Sequence, residues 1–334
     1  MFEKSGTRIR EIVARLFGRR PPEPGRFVAD RKFAWRGWLS SAPWVLPSRD
    51  YLVYLPRSYG GWKRRSLIVL IHGCKQTPEE FAAGTRIAAL ADIHGWLVLL
   101  PRQTDKANPW SCWNWFDTAT SAGRGEAAIV AAQVRAVRRS YRVHPRRIFV
   151  AGLSSGGSLA AVMGLRYPNL FAGVFVHSGV ACGAASSPLA ASSVLSQGAN
   201  TNYEEIGDRA RADAPSGALP LPLLAVHGGR DTVVAEINAI QLVRQYLILN
   251  GRAAANGLRN ELPRPDADNT LTLPGGRTMT TADYRDGAGV LVRMVRVAEL
   301  EHGWSGGDAA FPYNDPNPPE ATALLGEFVT RGLR

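Results

Sequence analysis

Gly152-Leu153-Ser154-Ser155-Gly156 sets one serine between two glycines, directly after the apolar run Ile148 to Ala151 and before the helix-like stretch Ser158 to Met163. A G-x-S-x-G turn between a buried strand and a helix lifts a serine hydroxyl above the end of a parallel sheet, where it can attack a carbonyl. The flanking glycines are needed because a side chain at either position would collide with the neighbouring strand or helix. A second match, Gly303-Trp304-Ser305-Gly306-Gly307, runs on toward Phe311-Pro312 with no helix to close the turn and no histidine after it. Ser154 is therefore the expected nucleophile.

A serine hydroxyl needs a base to take its proton, and the base needs an acid to fix its tautomer and steady its positive charge. Six histidines compete for the role of base. His72 and His227 stand in His-Gly pairs at strand ends, His94 and His144 precede strands, and His177 ends an apolar run. His302 follows the last expected strand, where the base belongs in the chain order Ser, Asp, His. The acid should lie just past the preceding strand. Asp231, in the turn His227-Gly228-Gly229-Arg230-Asp231, fits that place, and Asp266 and Asp283 are alternatives in a less regular segment. The oxyanion formed on attack needs backbone N–H donors. Ser155, directly after the nucleophile, and Cys74, in the turn His72-Gly73-Cys74, are the expected pair.

These groups must be carried by a scaffold. Apolar runs at Ser66 to His72, Trp96 to Leu100, Leu170 to His177, Leu221 to His227 and Val290 to Leu300 read as strands. Pro78 to Ala91, Gly125 to Tyr141, Ala235 to Asn250 and Pro319 to Val329 read as helices between them. Alternation of this kind means a mostly parallel sheet with helices on both faces. Shorter alternating runs from Phe33 to Tyr54 suggest antiparallel strands at one edge. Residues 183 to 220 and 252 to 288 are rich in Gly, Ser, Asn, Pro and Asp and read as long loops near the mouth of the site.

The 334 residues are 45% hydrophobic and 20% charged, the composition of a globular protein, and no apolar run is long enough for a membrane span. The formal charge of +12 is concentrated at the start of the chain, where residues 1 to 40 hold ten Lys or Arg against four Asp or Glu. No nucleic-acid module accompanies it, so a nucleic-acid partner is not expected. Residues 2 to 17 instead outline a basic amphipathic helix, ended by Pro21-Pro22, that could rest on an anionic or apolar surface through residues 1 to 20. No secretory signal is visible, which points to the cytoplasm.

Four segments taken together resemble the poly(3-hydroxybutyrate) depolymerase family of esterases, which is related to feruloyl and acetylxylan esterases. They are His72-Gly73-Cys74-Lys75-Gln76-Thr77, Asn108 to Phe116, Gly152 to Gly157, and His302 to Gly307. The resemblance spans about residues 45 to 332. It implies the α/β-hydrolase fold, a catalytic domain over residues 31–334 after an extension over 1–30, and Ser154, Asp231 and His302 as the triad. No metal or organic cofactor is implied. The implied substrate is a carboxylic ester, either a polymeric hydroxybutyrate-type ester or a feruloyl or acetylxylan ester. The family's cysteines further imply a bridge between Cys74 and Cys112, and a bridge in turn suggests an extracellular protein. Gln76, Trp113, Asn114, Trp115 and Trp304 are the candidates to line the substrate, the aromatic ones being equally compatible with core packing.

Overall fold

The computed structural model describes residues 25–33, 48–60, 62–256, 260–287 and 289–333. The amphipathic helix expected over residues 2–17 lies outside them. The strands are β1 (Arg26–Phe33), β2 (Ser48–Leu55), β3 (Arg65–Ile71), β4 (Leu97–Pro101), β5 (Val143–Leu153), β6 (Gly173–His177), β7 (Leu223–Gly228), β8 (Ala267–Thr272), β9 (Thr278–Asp286) and β10 (Gly289–Val297). They form one sheet in the order β1-β2-β4-β3-β5-β6-β7-β10-β9-β8. The six strands from β4 to β10 pair in parallel, and each flank is closed by antiparallel strands. The first strand begins at Arg26, so the sheet starts a few residues ahead of the expected boundary at 31.

Period-two alternation explains why the central strands are apolar throughout. Leu67, Val69 and Ile71 of β3 face one buried cluster, shared with Val150 of β5, Leu159 and Tyr246. Ile68 and Leu70 face a second cluster on the other side, with Phe175, Trp304, Leu325 and Phe328. A strand covered on both faces has no solvent side to mark with polar residues. Each such side chain contributes roughly 1.5–3 kcal/mol by leaving water.

The chain leaves β3 toward β4 on one side and returns to β5 on the other. The order therefore reverses at β3, and the carboxyl ends of β3 and β5 open a crevice of the kind in which doubly wound sheets bind ligands. The helix Ser155–Arg166 starts in that crevice and is buried from Ser155 to Leu165 except for its charged last residue. Its first turn lies so close to β3 that a Cβ on Gly156 would stand 2.2 Å from the Ile71 carbonyl oxygen and 2.4 Å from that of His72. A Cβ on Gly152 would meet the Gly156 carbonyl oxygen at 2.3 Å.

Three expectations change. The single helix over Pro78 to Ala91 is two, Pro78–Gly84 and Ile87–His94, parted at Arg86, whose φ is 54°. Residues 183 to 220 hold the helices Pro188–Gln197 and Tyr203–Ala212, the first started by Ser187, whose hydroxyl accepts the Ala190 N–H. Small Ala and Ser residues hid the periodicity there. The stretch 252 to 288 contributes the β8–β9 hairpin, whose outer strand is exposed at all six positions and so offers no apolar pattern to read.

Gly156→Ala tests the tight crossing. The variant should lose about 3 kcal/mol of stability, as overpacked sites do, seen as a lower urea midpoint; an unchanged midpoint would mean the backbone can move aside.

Candidate active site

Ser154 sits at the junction of β5 and the helix Ser155–Arg166 with φ 57° and ψ −121°, a strained conformation for a residue with a side chain. Two backbone bonds hold it there: its N–H donates to the His177 carbonyl (2.9 Å), and its own carbonyl accepts the Ser158 N–H (2.9 Å). The Ser154 hydroxyl makes no hydrogen bond among the described residues and is half-buried.

The turn after β3 closes against it. A Cβ on Gly73 would touch Ser154 Cβ at 3.4 Å. The Gly73 N–H donates to Gln76 Oε1 (2.9 Å) and the Lys75 N–H to the Trp110 carbonyl (2.7 Å). Between them the Cys74 N–H has no partner among the described residues, nor has the Ser155 N–H at the start of the helix. Those are the two donors expected to receive an oxyanion. Cys74 and Cys112 are joined by a disulfide, which ties this turn to the segment after β4. Ser155 Oγ lies 3.4 Å from Cys74 Sγ and accepts the Trp113 N–H at 3.4 Å.

Asp231 and His302 meet at the ends of β7 and β10, which are parallel neighbours. The Arg230 N–H donates to the Leu300 carbonyl (3.0 Å), knitting the two loops. Asp231 Oδ1 accepts the N–H groups of Val233 (2.9 Å) and Val234 (2.8 Å), which leaves Oδ2 to accept His302 Nδ1–H at 2.8 Å. Burial pushes the Asp231 carboxyl up, but the hydrogen bond and charge of His302, with the Val234 N–H, outweigh it and hold it below the ordinary range. Its bond to Nδ1 leaves Nε2 as the unprotonated nitrogen of a neutral His302. The other candidate acids are committed elsewhere: Asp283 to Arg293 (2.5 and 2.7 Å) and Asp266 to Arg252 (3.1 Å).

The remaining histidines near the rim are internal braces. His72 donates from Nδ1 to the Gly73 carbonyl (2.7 Å) and accepts the Gln103 N–H at Nε2 (3.2 Å). Burial pulls its pKa down to about 4, and that of His177 down to about 3. Ser305, the rival serine, is fully buried in a two-residue strand, Trp304–Ser305.

The expected substrate wall is corrected. Trp113 and Trp304 are 0% exposed, and Trp115 and Gln76 are also buried. Trp304 packs edge-on to Phe81 and beside Phe175 and His177, and its Nε1–H donates to Thr322 Oγ1 (2.9 Å). Trp115 belongs to a cluster under the loops, with Val180, Tyr203 and Val234. Gln76 links the Gly73 N–H to the Pro312 carbonyl. The Asn114 amide donates to Glu126 Oε1 (3.0 Å) and to the Ala107 carbonyl (3.3 Å). All but the half-buried Asn114 are buried, and these side chains hold the rim in shape.

Sequence reasoning missed the polar group beneath the disulfide. Glu126 is buried, accepts from Gln103 Nε2 (2.5 Å) and the Asn114 N–H (2.7 Å), and pairs with Arg49 at 3.6 Å. Burial pushes its carboxyl up while Arg49 and the hydrogen bonds oppose the shift. Arg49, Gln103 and Glu126 are far apart in the chain, and no local spacing joins them. A charged residue inside an otherwise apolar helix face was the one available signal.

A serine on a strand-to-helix elbow, an aspartate after β7 and a histidine after β10, at one rim of a mostly parallel sheet, define the α/β-hydrolase fold. The solved acetyl xylan esterase from Aspergillus awamori shares that fold, with a TM-score of 0.64 at 20% identity over 82% of this chain and 94% of that one. The profile of the family described as Esterase PHB depolymerase matches residues 49–264, more than half of the sequence, and the chain belongs to that family. Poly(3-hydroxyalkanoate) depolymerase C of Paucimonas lemoignei is 32% identical over 187 residues, 55% of this chain and 45% of that protein. Feruloyl esterase B of Neurospora crassa is 30% identical over 189 residues, 54% of this chain and 64% of that protein. The chain thus spans under two thirds of the length of either relative.

Two outcomes follow from the buried groups. Trp304→Ala should cost about 3–5 kcal/mol of stability and reduce turnover of short and long esters by the same factor; a selective loss on long esters would return Trp304 to the substrate. Because His72 and His177 stay neutral when folded but take protons near pH 6.5 when unfolded, stability should fall as pH drops below 6.5, by about 2 kcal/mol per histidine at pH 5. The loss from His72 should level off near pH 4. Asp231, with its lowered pKa, adds a loss of the same sign, but only as pH falls through the carboxylate range and below it. Urea titrations from pH 7.5 to 4.5 check this, and His177→Asn should flatten the slope.

Proposed function

We propose that this chain is a carboxylic ester hydrolase that works through an acyl-enzyme on Ser154. The observation that carries the reading is the 2.8 Å bond from His302 Nδ1 to Asp231 Oδ2 at the same rim as the serine elbow. Ser154 attacks the ester carbonyl as its proton passes to His302 Nε2. Asp231 keeps the imidazole in the right tautomer and stabilises its positive charge. The Cys74 and Ser155 N–H groups receive the negative oxygen. His302 then protonates the departing alcohol, and water, activated by the same imidazole, releases the acid. The Ser154 hydroxyl has no hydrogen bond to His302 Nε2 in the structure, and the reading requires that bond to form once substrate is bound, as catalytic hydrogen bonds often do.

Polymeric or oligomeric 3-hydroxybutyrate-type esters and short-chain esters are the favoured substrates, supported by family membership and by the depolymerase relative. A feruloyl or acetylxylan ester is the second reading, supported by a feruloyl esterase of nearly equal identity. The disulfide supports an oxidising compartment over the cytoplasm.

Purified protein should be assayed against hydroxybutyrate oligomers, methyl ferulate and acetylated xylan. Turnover of one of these, with kcat lowered on the order of 10⁴–10⁶-fold in Ser154→Ala, is the expected result. An inert wild type would leave a binding protein on a hydrolase fold; undiminished turnover by the variant would remove Ser154 from the chemistry.

A further inference from the structure

Tyr313 is the exposed aromatic residue nearest to His302 among those with ring contacts to the site. Its ring centroid lies 6.5 Å from that of the imidazole, with the planes at 77°. The residue is 36% exposed and its phenol makes no hydrogen bond among the described residues. The backbone beneath it is fixed from several directions. Its φ is 58°, which costs a non-glycine residue free energy and persists only where neighbours enforce it. The Tyr313 carbonyl accepts the Trp304 N–H at 2.8 Å, two residues after His302. The preceding carbonyl, of Pro312, accepts from Gln76 Nε2 (3.1 Å) and Asn314 Nδ2 (3.0 Å). Gln76 in turn accepts the Gly73 N–H, so the loop bearing Tyr313 is bolted to the turn that presents the Cys74 N–H.

We infer that Tyr313 determines specificity for the alcohol half of the ester, an inference that rests on the serine esterase reading. In such a reaction His302 hands its proton to the departing oxygen, so the alcohol half must pass beside the imidazole and the acyl half lies away from it. A ring standing edge-on to His302, rigidly held and open to solvent, offers its remaining face to whatever that oxygen carries. The partner it suits is a flat or ring-bearing alcohol, whether aromatic or the apolar face of a sugar. The unpartnered phenol can donate to a hydroxyl on the same group. A tyrosine serving only to pack on the imidazole would act on every ester alike.

The test uses the full chain and its Tyr313→Ala and Tyr313→Phe variants with two ester series. One keeps the acetyl group and enlarges the alcohol from methyl to cyclohexylmethyl and benzyl; the other keeps methanol and enlarges the acid from acetyl to phenylpropionyl. Alanine and phenylalanine bear the same positive φ, so the variants differ from the parent in the side chain alone. Tyr313→Ala should lower kcat/KM for benzyl acetate about tenfold relative to methyl acetate, mainly through KM, while the acyl series shifts uniformly. Tyr313→Phe should recover the benzyl ester. Equal losses across both series, or none in either, would overturn the assignment while leaving the esterase reading intact. An inert parent protein would overturn both.

Discussion

At the ends of β3 and β5 there is no room for one additional carbon atom. The first turn of the helix after Ser154 is pressed against the carbonyls of Ile71 and His72, and Gly152 and Gly156 are the residues that permit it. Everything chemical depends on that crossing. It holds Ser154 in its positive-φ conformation and leaves the Ser155 N–H, at the helix start, and the Cys74 N–H without partners among the described residues. The compressed backbone and the unpartnered hydroxyl are two consequences of the same packing.

A crossing this tight has to be held, and much of the fold on the β3 side does that work. The disulfide fixes the Cys74 turn to the segment after β4, and that segment is held from behind by the buried Glu126 with Arg49, Gln103 and Asn114. Burying a carboxylate costs several kcal/mol unless it is paired and hydrogen-bonded, and an apolar replacement of equal volume can be as stable. What the ionic group supplies is direction: Glu126 Oε1 takes the Gln103 and Asn114 amides and Oε2 the Asn114 N–H, so the loop has one register. Trp113 and Trp115, on either side of Asn114, are buried in two different apolar clusters and anchor that segment from both sides.

The central strands, the elbow and the order of serine, aspartate and histidine were legible because each is written locally. Apolar runs mark strands covered on both faces, and the spacing of glycines around Ser154 marks a turn with no space for side chains. The β8–β9 hairpin was not legible, because its outer strand is exposed on both faces and its register comes from hydrogen bonds to β9. The roles of Trp304 and Gln76 were misread for a related reason. Adjacency to His302 or Cys74 in the chain says that a side chain is near the site, but strand and loop geometry decide whether it points out of the rim or into the second core. Both point inward. Tyr313, eleven residues beyond His302, reaches the imidazole only because Trp304 and Gln76 fold its loop back.

The rim also shows why one carboxylate serves one of two nearby histidines. His227 Nε2 stands 3.9 Å from the same Asp231 oxygen that accepts from His302 at 2.8 Å. The His227 proton is already committed to the Val234 carbonyl at 2.9 Å, and burial keeps that imidazole neutral by lowering its pKa. The Val234 N–H is meanwhile donated to Asp231, so a single residue beside the carboxylate orients both groups through its N–H and its carbonyl. A neutral His227 places an uncharged wall behind Asp231, and in that low-dielectric setting the positive charge that develops on His302 is the one the carboxylate feels most strongly. Selection between the two imidazoles thus follows from where their protons are held, with no difference in intrinsic basicity required.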